Sequence, residues 1–229
     1  TAYFLLGILL FLALCILFLR AGTLEKARRG FLAFVIAHAL LGWLDFAGKL
    51  LGTGDLLEPI RTATYALLTD VEQSGFWRIV GGCSEASTFA AYGLAALAFA
   101  FTWWRETGSR LGLVLTASML VLLLMSTSST AYVGLAALSC FALLSVGKAA
   151  LRDRLKRQDF MLMAGALAML VLMLGLYLSN PVLFQPFLDL MQAMVFDKAT
   201  SSSGQERAYW NMRSLVSFID TYGLGVGLG

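Results

Sequence analysis

Charge is scarce in this 229-residue chain. Asp, Glu, Lys and Arg make up 14% of it against about 25% in soluble domains, while 59% is hydrophobic. That balance excludes an ordinary soluble domain. From Leu111 to Gly147 there is no charge at all, a run too long for one tilted span. The polar stretch Ser126-Thr127-Ser128-Ser129-Thr130 is therefore read as a turn between two spans. Cysteine is equally sparse. Cys15 and Cys140 lie inside apolar runs, where they pack as small hydrophobes, and Cys83 has no obvious mate. Three cysteines without paired spacing point away from a zinc site and a disulfide framework, and no metal is expected. The net charge of +3 is sorted by loop instead of pooled in one patch, which points away from nucleic acid as a partner. No internal repeat is visible.

What is abundant is apolar sequence in six stretches: 1–19, 31–47, 86–104, 111–127, 131–147 and 160–179. Each approaches the roughly 20 residues a helix needs to cross a bilayer. The expected fold is thus all-α, a polytopic transmembrane bundle of about six spans, with short amphipathic helices in the loops. The first stretch lacks a basic leading region and reads as a span, not a signal peptide. The chain opens at Thr1 on an apolar run and stops in a glycine turn, so it reads as the interior of a longer membrane protein.

The first, third and fifth connections are short and basic. They hold Arg20, Lys26, Arg28 and Arg29; then Arg105 and Arg110; then Lys148, Arg152, Arg154, Lys156 and Arg157. Only Glu25, Glu106 and Asp153 oppose them. The other side carries more acid than base. The basic loops are accordingly expected in the cytoplasm, and the long connections 48–85 and 180–229 outside.

In the outer connections, Glu58-Pro59 can open a helix, and Ile60 to Val71 mixes apolar residues with threonines, as an interfacial segment does. Trp77-Arg78 has a simple reading as a membrane anchor, indole at headgroup level and Arg reaching phosphate. Phe187, Leu188, Leu190, Met191, Met194 and Val195 recur at helical spacing and predict a short interfacial helix. A second helix is predicted from Gln205 to about Tyr222, closed by Gly223 as a C′ residue. On it Arg207, Asn211 and Ser214 share a face, which by itself suits a solvated surface. Within the second span, His38, Asp45 and Lys49 share another. Asp45 and Lys49 fall near the outer end and can pair with each other, whereas His38 sits near mid-depth, as a functional group or a hydrogen-bonded bundle residue.

Two segments carry a family resemblance. Phe76-Trp77-Arg78-Ile79-Val80-Gly81-Gly82, ahead of a new span, resembles the Arg-x-x-Gly segment of the O-antigen ligase and polymerase superfamily. Ser203-Gly204-x-x-Arg207-x-x-Trp210, followed by Gly223-x-Gly225-x-Gly227-x-Gly229, is similar to that family's external-loop signature. Glu85-Ala86 departs from the pattern, standing where many members have Asn or Pro. The resemblance implies a bacterial inner-membrane glycosyltransferase working at the outer face. It would move a polyprenyl-diphosphate-linked glycan onto an acceptor hydroxyl, in repeat-unit polymerisation or in ligation to a lipid acceptor. Such a donor is already activated, so no cofactor is implied. Arg207 and Arg78 are then the catalytic candidates, because a guanidinium fork suits phosphate. Arg213, Trp210, Tyr209 and Asn211 are the substrate-binding candidates. Glu206, Glu85 and Asp220 are external carboxylates, none singled out as the base. A transporter or flippase component is the competing class; it would place polar residues at mid-membrane in several spans.

Overall fold

The computed structural model describes residues 2–19, 23–53, 57–61, 72–73, 76–179, 185–192, 197 and 202–223. The chain is an all-α membrane protein. Its helices are α1 (Ala2–Phe18), α2 (Thr23–Leu51), α3 (Ala86–Thr107), α4 (Arg110–Met125), α5 (Ser129–Leu151), α6 (Arg157–Ser179), α7 (Gln185–Met191) and α8 (Ser202–Asp220). Among the described residues, α2, α3, α5 and α6 are long and apolar enough to cross a membrane, and α4 is a shorter apolar helix. A two-residue antiparallel ladder, β1 (Glu72–Gln73) with β2 (Phe76–Trp77), lies in the connection before α3. The chain divides into two units, residues 1–31 with 197–229, and residues 32–196.

In the first unit, α2 begins at Thr23, well before the apolar run expected from 31. Glu25 in the first turn explains this. It suits the positive end of the helix dipole and accepts from Arg28 at 2.8 Å and Arg29 at 2.9 Å, one turn ahead. Much of the basic connection 20–30 is therefore helical. At the far end of α8 the chain turns through Tyr222 (φ +52°) and Gly223 (φ +88°). The Gly223 amide donates to Phe218 O at 2.8 Å, the C-terminal glycine closure expected from sequence.

In the second unit, α3, α4 and α5 pack around a core of Val35, Phe89, Leu97, Met119, Leu122 and Leu123. Small residues allow the approach. A Cβ on Gly112 would lie 3.0 Å from the Trp104 backbone, so the hairpin of α3 and α4 closes only because glycine stands there. The hairpin itself is set by Gly108 in the left-handed region (φ +66°) and by Ser109, whose hydroxyl caps α4 by accepting from Gly112 N at 3.3 Å.

The α4–α5 turn falls where the Ser/Thr cluster placed it, at residues 126–128, but these residues are buried instead of facing solvent. At the opposite end, buried Asp159 accepts from Arg105 Nε at 2.6 Å and from Lys156 N at 3.0 Å, fastening α6 to α3. The predicted interfacial helix appears as α7. Its Met191 packs against Tyr132 of α5, so that position is covered by protein; residues 193–196 lie outside the described residues. The segment expected along the interface after Ile60 also lies outside them, apart from a 3-10 turn at Glu58–Ile60 and Arg61.

Candidate functional site

The last two turns of α2 carry Asp45 and Lys49 on one face. They pair as expected, at 3.2 Å. The pair is only part of a larger arrangement. An ionised carboxylate offers about four acceptor sites, and one lysine does not fill them. Asp45 also accepts from Arg61 Nη2 at 3.0 Å and from the amides of Val80 and Gly81 at 2.7 and 2.9 Å. Its side chain is 1% exposed and that of Arg61 6%. Arg61 in turn donates to Gly81 O through Nε at 3.0 Å and Nη2 at 2.7 Å. Lys49 Nζ donates to the Arg78 carbonyl. One carboxylate thereby holds the backbone of 78–81 against the end of α2.

Gly81 is required at that point. Its φ is +58°, and a Cβ there would lie 2.8 Å from the Phe89 ring. Next to it, Ile79 N donates to Met125 O at 3.1 Å, tying the segment to the end of α4. Trp77, read from sequence as an anchor, rests edge-on against Phe46 of α2, ring centroids 6.0 Å apart.

Arg78 differs from the other two cations. Among the described residues its guanidinium makes no hydrogen bond or ion pair, although Nε is fully buried. Among the described residues, the other buried side-chain polar atom left unsatisfied is Thr127 Oγ1, in the α4–α5 turn. The Ile79–Met125 hydrogen bond joins these two neighbourhoods. Thr127 also holds φ +44°, unfavourable for a β-branched residue. Buried donors without partners are rare, and each calls for an explanation. Among the described residues, Lys49, Arg61 and Arg78 lie around the one carboxylate of Asp45, and Lys49 feels the charge of both arginines. The segment thus presents a guanidinium and a hydroxyl that make no hydrogen bond among the described residues, which is the chemistry of an anion site. Cys83 borders it; burial pushes its thiol up from the ordinary value, and the Arg61 charge draws it partly back.

Most of the remaining candidates are on α8, in the other unit. Arg207 sits in its first half, but its side chain lies outside the described residues, as do residues 224–229. Arg213 stays one turn from Tyr209, donating to its hydroxyl at 3.0 Å with the guanidinium 5.5 Å from the ring centroid. Trp210 meets Tyr209 edge-on at 5.6 Å and is exposed, as is Asn211. Glu206 and Asp220 are exposed, and Glu85 accepts from Ser87 Oγ at 2.8 Å. His38 is a packed bundle residue, its ring stacked between Phe34 and Phe89 with Nε2 3.2 Å from Phe89 O.

Arg61 and Thr127 were missed from sequence. Arg61 had one signal, as the only cation between Lys49 and Arg78. Thr127 had none beyond its place in the turn. Fold and site together define a helical membrane protein with a buried network of charged side chains at one end of α2. No protein-family model, no curated protein and no solved structure matches the chain.

Proposed function

We propose that the chain is part of a bacterial inner-membrane glycosyltransferase that uses a polyprenyl-diphosphate-linked glycan at the outer face, in surface-polysaccharide repeat-unit polymerisation. The observation that supports it is the Arg78 guanidinium, buried at Nε and without a hydrogen bond among the described residues, beside the Asp45 network. The bond from the sugar anomeric carbon to the diphosphate oxygen breaks, and the acceptor oxygen takes the carbon. The acceptor proton leaves to a base, and the diphosphate departs with an added negative charge. Arg78 answers that charge. Donors placed where charge develops are worth more than those that bind substrate and transition state alike. Thr127 Oγ1 offers a second donor. The motif resemblance gives Arg207 the same chemistry.

A complementation assay tests the proposal through Arg207. In a strain lacking the gene, Arg207→Ala at normal protein level is expected to lose about a hundredfold in polymerised glycan, about 3 kcal/mol of transition-state stabilisation. Arg207→Lys is expected to fail nearly as badly, because an ammonium lacks the planar fork. Full-length glycan from Arg207→Ala would refute the role that the motif resemblance gives this residue.

A further inference from the structure

A separate crevice of about 490 Å³ opens between α3, α4 and α5, with Leu162 of α6 also on its wall, at the end of the bundle that carries the basic connections. Leu97 lines it at one limit and Arg105, Glu106 and Ser145 at the other. Leu97 and Arg105 are eight residues apart on α3, about 12 Å at the helical rise. Its lining is otherwise mostly apolar, and Leu120 and Phe141, part of that lining, are exposed. The crevice is thus open sideways, toward hydrocarbon.

Its polar end is built. Arg105 is fixed by Asp159 through Nε and by Ser145 Oγ through Nη1, which leaves Nη2 without a hydrogen bond among the described residues. Around it, the connections 105–110 and 148–159 hold seven basic residues against three acidic ones. An apolar slot open to the bilayer and ending at a held guanidinium in a net-positive collar matches one kind of molecule. Basic pockets between transmembrane helices recognise anionic headgroups, and an open apolar groove beside them takes a lipid chain.

We propose that this crevice seats an acyl chain of an anionic phospholipid, its phosphate on Arg105. The assignment is independent of glycan transfer. Native mass spectrometry of the full-length protein tests it, with phosphatidylglycerol or phosphatidylcholine titrated into the micelles. One phosphatidylglycerol is expected to be retained at least fivefold better than phosphatidylcholine. Arg105→Gln should erase that preference. Ala142→Trp, which fills the crevice without touching the Arg105–Asp159 pair, should cut retention of both lipids about tenfold. Equal retention of the two lipids by the native protein would overturn the proposal, as would undiminished phosphatidylglycerol binding by folded Ala142→Trp. Should that variant melt early, a photo-crosslinker at Leu138 reads the occupant in otherwise native protein. A phospholipid adduct supports the assignment, and a crosslink to another segment of the same chain overturns it.

Discussion

Replacing Asp45 with alanine removes the carboxylate that Lys49, Arg61 and the amides of Val80 and Gly81 share. Taking one partner from a buried ion pair costs about 3–5 kcal/mol, because the other charge stays buried without compensation. Here the lower end applies, since Arg61 keeps Gly81 O and Lys49 keeps the Arg78 carbonyl. About 3 kcal/mol in a chain of this size corresponds to a fall of roughly 6–12 °C in melting temperature. Cys83 supplies the readout. With Cys15 and Cys140 changed to alanine, a thiol-reactive fluorophore on a heating ramp reports exposure of this half-buried residue beside the network. The double variant Asp45→Leu/Arg61→Met should recover only part of the loss, because it removes the Arg61 charge but still leaves Lys49 and the amides of Val80 and Gly81 without the carboxylate. An Asp45→Ala protein that unmasks Cys83 at the wild-type temperature would refute the reasoning, since changes away from such networks stay within about 0.5 kcal/mol.

Thr127 combines an unfavourable φ with an unsatisfied hydroxyl, so Thr127→Gly is expected to raise stability by about 1 kcal/mol while lowering glycan output, measured as melting temperature and polymer length in the same strain. Output at wild-type level would show that the hydroxyl serves no ligand. The charge asymmetry of the loops gives a topology test. A cysteine at Asp153 in a Cys-free background should stay unlabelled by an impermeant reagent in intact cells, and labelling there would reverse the orientation.

Hydropathy and charge made the helices legible, because a span must be long and apolar whatever its neighbours. The Gly223 stop was legible for a similar reason, since only local backbone geometry decides it. The long start of α2 was not, because pairs such as Glu25 with Arg28 extend a helix without any apolar signal. The site was half legible. Asp45 and Lys49 meet at a four-residue step on one helix, which spacing reveals. Arg61 reaches Asp45 from another segment, and no local pattern encodes that contact. Burial of the Ser/Thr turn and the cover of Tyr132 over Met191 are likewise products of packing.

On the proposed function, Arg78 receives a lipid diphosphate. The most direct test is binding of a polyprenyl-diphosphate-linked glycan by the purified full-length protein in nanodiscs, wild type against Arg78→Gln. Because Arg78 holds no other side chain in place, the variant should melt at the wild-type temperature. Loss of a charge-assisted contact, about 1.5–3 kcal/mol, should weaken binding roughly ten- to a hundredfold. Equal affinity of the two proteins, at equal stability, would contradict the claim.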